Sequence, residues 1–403
     1  MSSAFYLVLV VQFLSTLADN AFLIIAIARV QELASPDWLT PFLKISFTLF
    51  YVVLAPFVGA FADALPKGRV MLLANAIKVV ALILLPTGLS PVAAIALVGL
   101  GSALYAPAKY GLITELLPAR KLVRANSYFE SITVCGVILG AVLGGMLVSP
   151  WMAQSGVGLT WQHVQMAPTA LLPGMLVVLA MNAFALLLSI GIADSGARYA
   201  RSSFHPWALL CRFSKENRSL WRDPLGRLTI SVTTLLWGVG ATLQLMVLRW
   251  AHDALGLPLS QATYLQGVTA VGVVVGAVLA SRWVVLANTH RLLPLGILIG
   301  LLVPMMLFLT SPWSAALLLM LVGALAGFFV VPMNALLQHR GCTLLTAGRS
   351  IAVQGFNENG GMLLMLAIYA AATAMDIPLT VLIFGFGVFV TGIMAWIWAT
   401  HTQ

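Results

Sequence analysis

Few residues of this chain could do chemistry, and they sit where charge is unwelcome. Asp19 and Asn20 interrupt an apolar run from about Phe5 to about Val30. If that run crosses a bilayer, a carboxylate near its middle costs about 2.5–3.5 kcal/mol on insertion scales. Such a group is kept when it faces a cavity, a partner or a substrate, or when a basic residue on a neighbouring helix neutralises it. Lys109, two residues after Pro107, is a mobile point charge suited to an anion, or else a side chain reaching toward one membrane face. Asn357, Glu358 and Asn359 interrupt a second apolar run, where Glu358 answers Asp19 in the other half of the chain. Glu130 serves a substrate or gating role, or pairs with Arg120 or Arg124, as Glu115 would; Asn126 lies one turn before it.

These groups suit recognition of a polar ligand, not bond-making. No His-x-x-x-x-Asp follows any of the six histidines, and no phosphate-binding loop occurs. The nearest approach to Gly-x-Ser-x-Gly, from Gly348 through Ser350 to Ala352, lacks the second glycine. Cys135, Cys211 and Cys342 have neither zinc nor disulfide spacing. The expectation is a protein that is not an enzyme and uses no cofactor or metal.

The elements that hold these residues must be membrane helices. The 403 residues are 61% hydrophobic and only 8% charged, against roughly 25% charged in soluble domains. Mean hydropathy is +1.01. Runs of about 20 apolar residues, broken by Pro, Gly and charge, predict about twelve spans. Their cores are 5–30, 40–62, 69–88, 91–117, 127–149 and 169–193, then 227–250, 262–286, 291–310, 313–337, 347–374 and 377–399. The first run is too long for a cleaved signal and reads as a retained helix.

The net charge of +9 marks topology, not a nucleic-acid surface. Lys67, Arg69, Arg120, Lys121, Arg124, Arg282, Arg291, Arg340 and Arg349 share one side with the basic residues of the longest loop. The positive-inside rule makes that side cytoplasmic, with both termini on it. Pro36, Trp38, Trp151, Trp161 and Trp313 mark the outer ends. The polar stretch 194–226 then links an N-terminal six-helix bundle, 1–193, to a C-terminal one, 227–403. It could also lie as an amphipathic helix on an anionic leaflet. The halves are alike: GLGSALYAPAKYG around Pro107 matches GALAGFFVVPMNA around Pro332, with Lys109 opposite Asn334. Internal repeats are a transporter trait, with the binding site near the midplane between them. The fold class is therefore an all-α membrane protein of two pseudo-symmetric bundles. Gly136, Gly140, Gly144 and Gly145, and later Gly267, Gly272 and Gly276, read as close-packing positions.

The loop from Gly59 through Asp63 and Lys67 to Gly68-Arg69 resembles the signature loop of the major facilitator superfamily. Phe61 replaces its leucine, and Gly68 follows Asp63 by five residues instead of three. The resemblance implies a conformational latch made by Asp63 and Arg69, with Lys67 nearby. QFLSTLADNAFLIIA (12–26), LAPFVGAFAD (54–63), PAKYGLITEL (107–116), LVRAN (122–126), FFVVPMNALLQHRG (328–341) and IAVQGFNENGGMLLMLAIY (351–369) further resemble the bacterial lysophospholipid transporters. That resemblance implies a flippase working by alternating access. It would move lysophospholipids from the outer to the inner leaflet of the bacterial inner membrane, where a cytoplasmic-side acyltransferase re-esterifies them. Asp19 would meet an ethanolamine ammonium or a protein cation, with Lys109 the cation in its own bundle, and Lys109 a phosphate. Asn20, Asn126, Asn357 and Asn359 would meet hydroxyl or phosphate oxygens. Glu130, Gln244 and Glu358 complete the expected site, Gln244 standing where those transporters carry a basic residue. Arg249, about 140° further round that helix, is placed elsewhere. A proton-coupled drug or solute antiporter and a non-transporting scaffold are the alternative readings.

Overall fold

With no water to satisfy backbone polar groups, an apolar chain must close its hydrogen bonds within helices. A computed structural model describes residues 3–33, 39–149, 152, 171–197, 199, 205–257 and 259–401, and among these every regular element is helical. The expected marks at Pro36, Trp38, Trp151 and Trp161 lie outside the described residues.

The helices are α1 (Ser3–Glu32), α2 (Leu39–Val53), α3 (Ala55–Ala64), α4 (Lys67–Leu84), α5 (Pro91–Leu116), α6 (Leu122–Leu147) and α7 (Leu172–Ile190). Then come α8 (Pro206–Arg222), α9 (Pro224–Leu255), α10 (Leu259–Trp283), α11 (Leu293–Leu302), α12 (Pro312–Leu344), α13 (Ala347–Ala374) and α14 (Leu379–His401). Nine spans among the described residues are long and apolar enough to cross a membrane, and the pair α2–α3, bent by 63°, makes a tenth. The other two long helices are the polar ones. Lys67, Arg69 and Lys78 interrupt α4; Arg349 and Glu358 interrupt α13. The expected twelve would need these two as well, which are not apolar enough to be counted among the ten. Within the polar stretch after the sixth span, α8 is amphipathic, burying Leu209, Phe213 and Leu220 and exposing Trp207, Arg218 and Arg222.

Two compact units result. The first is Met1–Leu117, Ile132–Glu216 and Leu345–Val353; the second is Pro118–Ser131, Asn217–Leu344 and Gln354–Gln403. They follow the sequence halves except that each holds one short segment from the other half, and that α8 divides between Glu216 and Asn217.

In the first unit α1 packs against α5 and α7 through Phe22, Ile25, Ile95, Met175 and Val178. Gly136, Gly140 and Gly144 let α6 lie on α1: a Cβ at Gly140 would stand 2.5 Å from the Leu17 carbonyl oxygen. In the second unit Gly272 and Gly276 of α10 face Gly323 and Gly327 of α12. A Cβ at Gly276 would fall 1.9 Å from the Ala324 carbonyl oxygen. Two facing Gly-x-x-x-Gly stripes thus bring the two backbones into contact, the packing mode available where lipid removes the hydrophobic drive. Gly145 and Gly267 take no part; a Cβ at either would meet open space.

Candidate functional site

Pro107 sits inside α5, and within about a turn and a half of it the helix carries Ser102, Tyr105 and Lys109, all buried. Asp19 of α1 meets this face together with Lys78 of α4. The Lys78 ammonium donates to Asp19 Oδ2 at 2.5 Å and to Ser15 Oγ at 2.9 Å, and Ser102 Oγ donates to the same Oδ2 at 3.2 Å. A polar string continues from Ser15 to Asn75 and from Asn75 to Ser189, joining α1, α4 and α7. The partner of Asp19 within its unit is therefore Lys78, not Lys109. Lys109 places its ammonium 4.2 Å from the Tyr110 ring centroid and 5.9 Å from that of Tyr105; Lys78 is 5.5 Å from the latter. Both distances to Tyr105 are within cation–π reach. Two oxygens here are buried without a hydrogen bond: Asp19 Oδ1 and the Tyr105 hydroxyl. Asn20 turns back to its own helix, donating to the Thr16 carbonyl at 2.8 Å, and its Cβ packs where Gly140 approaches.

A second buried carboxylate, Asp63 at the end of α3, is fully engaged. Its Oδ1 accepts from the Lys67 ammonium at 2.6 Å and from the Gly348 amide at 2.9 Å; its Oδ2 accepts from the Thr346 hydroxyl. Gly348 is required by this approach, since a Cβ there would lie 2.6 Å from Asp63 Oδ1 and 2.9 Å from the Gly59 carbonyl oxygen. Lys67 also donates to the Ala62 carbonyl and lies 3.6 Å from Glu115. Glu115 accepts from Ser195 and Tyr199, so its partners are these and Lys67, not Arg120 or Arg124. Arg69, expected beside Asp63, is exposed and lies outside this cluster. Two residues on from Lys67, about 200° of helix, it lies round the start of α4 from the side that Lys67 buries. Buried Arg349 lies 3.3 Å from Glu216 of α8, which Arg212 also holds at 3.0 Å. Burial pushes the Glu216 carboxyl above its ordinary value, against the opposing pull of Arg349 and Arg212.

The remaining candidates belong to the second unit and are largely occupied with one another. Asn126 and Gln338 exchange two amide hydrogen bonds at 2.9 Å, both side chains buried. Ser127 donates to the Ala277 carbonyl at 2.7 Å. Asn357 accepts from the Trp221 indole at 3.0 Å and donates to Asn217 at 2.9 Å, tying α13 to the end of α8. Asn359 bonds its own helix at Gly355. Gln354 donates to Glu358 at 2.8 Å and to Asn334 at 3.1 Å, and Glu130 is near enough to act on the Glu358 charge. Asn334, opposite Lys109 in the repeat, is thus part of a neutral amide cluster around Glu358. Gln244 is exposed and pairs with Gln266 on α10, its amide at 3.1 Å from that side chain. Arg249 lies 3.6 Å from Asp253 on its own helix, both exposed.

A description of the Major Facilitator Superfamily matches residues 8–361. The chain belongs to the major facilitator superfamily. It is 38% identical to the lysophospholipid transporter LplT of Yersinia enterocolitica over 372 residues, 92% of this chain and 87% of that one. The lysophospholipid transporter LplT of Yersinia pestis is also 38% identical, over 94% of this chain and 89% of its own. Among solved structures, a bacterial homologue of the iron transporter ferroportin in an outward-facing state superposes with TM-score 0.72 at 14% identity, covering 99% of this chain and 100% of that one. The fucose:proton symporter of E. coli superposes with TM-score 0.73 at 14% identity, covering 99% and 98%. At that identity the likeness is one of superfamily fold.

Of the residues gathered in these two buried clusters, the sequence pointed to Asp19, Asp63, Lys67 and Lys109 but not to Lys78, Tyr105, Thr346 and Gly348. Asn75 and Lys78, three residues apart on α4, share one helix face, and that spacing was the readable sign of a polar stripe.

Proposed function

We propose that this chain carries lysophospholipids, such as lysophosphatidylethanolamine, from the outer to the inner leaflet of a bacterial inner membrane. The carrying observation is the 38% identity, over nine-tenths of the chain, to proteins named as lysophospholipid transporters. Both termini lie on the cytoplasmic side in this reading, and the flipped lipid passes to a cytoplasmic-side acyltransferase. The chain is a transporter and not an enzyme.

The Asp19 cluster fits the headgroup chemistry. A lysophospholipid brings a phosphodiester anion, often an ammonium, and a free hydroxyl. Lys109 answers the phosphate as a point charge. Asp19 Oδ1 and the Tyr105 hydroxyl, buried and without partners, answer the ammonium and the glycerol hydroxyl. Lys78 keeps Asp19 neutralised when the site is empty. Glu358 with Gln354 and Asn334 supplies polar contacts in the second unit, and Glu130 neighbours them. Asn20, Asn126, Gln244 and Asn357 stand as weaker candidates, because each already spends its hydrogen bonds within the protein. Alternating access would use Asp63, Lys67, Thr346 and Gly348 as the latch on the basic side, with Arg69 outside it.

The test is flipping of labelled lysophosphatidylethanolamine in proteoliposomes. Protein-dependent transfer is expected. No transfer, beside proton-driven movement of a small soluble drug, would replace this reading by that of an antiporter.

A further inference from the structure

The second unit contains an apolar cavity of about 270 Å³ between α9, α13 and α14. Met246, Met365, Ile368, Leu382 and Phe386 line it, and Thr242 and Tyr369 are its polar members. Ile368, Val381 and Phe389 are also exposed at its border, so the cavity communicates with the surface that the bilayer covers. Thr242 is 2% exposed, and its hydroxyl is buried with no hydrogen-bond partner. Helical threonines usually satisfy that hydroxyl on the carbonyl one turn back; Thr229 and Thr269 of neighbouring stretches do so here. A buried hydroxyl left open at the wall of a cavity points to a ligand atom or an ordered water.

We propose that this slot receives the single acyl chain of the lysophospholipid, with Thr242 hydrogen-bonded near the polar end of that chain. The inference rests on the proposed substrate and names a subsite for its chain. At about 270 Å³ the slot has room for a segment of an acyl chain. The lining supports a chain that varies in shape, because Met246 and Met365 adapt to irregular contents. Position supports it too: the lining residues lie late in α9 and α13 and early in α14, toward the end of the helices away from the basic loops.

The test uses lysophosphatidylethanolamine carrying a photoreactive diazirine in its acyl chain, with the full-length protein in proteoliposomes. Labelled peptides from α9, α13 and α14 are expected, displaced at least fivefold by excess unlabelled lysolipid but not by diacyl phospholipid. Gly385→Leu fills the slot without a backbone clash, since a Cβ at Gly385 meets nothing within 4 Å. It should cut labelling and flipping several-fold with no change in thermal unfolding. Thr242→Val, which keeps the shape, should weaken competition by lysolipid. Labelling displaced equally by diacyl lipid would make the slot a seat for bulk lipid and overturn the proposal. Unchanged labelling in Gly385→Leu would overturn it as well. Wild-type flipping, measured in the same vesicles, separately reports on the transport reading.

Discussion

Asp19 and Asp63 are both carboxylates held by a lysine of α4, yet they are finished differently. Asp63 has a donor on each oxygen: Lys67 and the Gly348 amide on one, Thr346 on the other. Asp19 concentrates Lys78 and Ser102 on Oδ2 and leaves Oδ1 buried and bare. A buried carboxylate with donors on both oxygens is already compensated for its burial. An unsaturated one retains a valence whose desolvation is uncompensated until something binds. On the proposed reading, the contrast assigns Asp63 to the latch and Asp19 to the ligand.

Substitutions can break or sharpen that contrast. The largest effect is expected from Lys78→Met, which strands Asp19 without its cation. Breaking one side of a buried ion pair costs about 3–5 kcal/mol, seen as a marked fall in thermal unfolding temperature in detergent. Asp19→Asn together with Lys78→Met should recover most of that stability and none of the transport. Asp63→Asn is expected next. It weakens charge-assisted bonds worth about 1.5–3 kcal/mol each and should raise thiol labelling of a cysteine placed at the buried Ala352 while leaving lysolipid binding intact. Gly348→Ala drives a Cβ against Asp63 and Gly59, an overpacking of about 1–3 kcal/mol that should reproduce the Asp63→Asn phenotype.

The smallest effect concerns Asp223, which caps α9 through the Gly226 amide and is gripped twice by Arg340. The Arg340 hydrogen bonds hold its carboxyl below the ordinary 3.8. Its contribution is therefore fully present above about pH 3.8 and fades as pH falls through the depressed value. Asp223→Asn should cost no more than about 1 kcal/mol near neutrality and flatten the acid limb of an unfolding-versus-pH curve.

The membrane fold was legible because apolar runs and basic loops report bilayer thickness and side directly. Asp19 and Glu358 were legible because each is a lone acid in an apolar helix. Lys78 was visible but carried no assigned role: which of several lysines reaches Asp19 depends on how α1, α4 and α5 are rotated against one another. Asn126 with Gln338, and Asp63 with Gly348, join residues far apart in the chain. No local pattern encodes such pairs. In the loop that resembles the superfamily signature, Asp63 pairs with Lys67 and not with the exposed Arg69, a choice that the longer spacing before Gly68 accompanies.

The most direct measurement compares Asp19→Asn and Asp63→Asn for flipping of labelled lysophosphatidylethanolamine, at matched amounts of folded protein. Asp19→Asn should lower the flipping rate more than tenfold and weaken competition by unlabelled lysolipid, whereas Asp63→Asn should change the rate and leave competition as in the wild type. Wild-type competition in Asp19→Asn, or lost competition in Asp63→Asn, would contradict the assignment of one carboxylate to the ligand and the other to the latch.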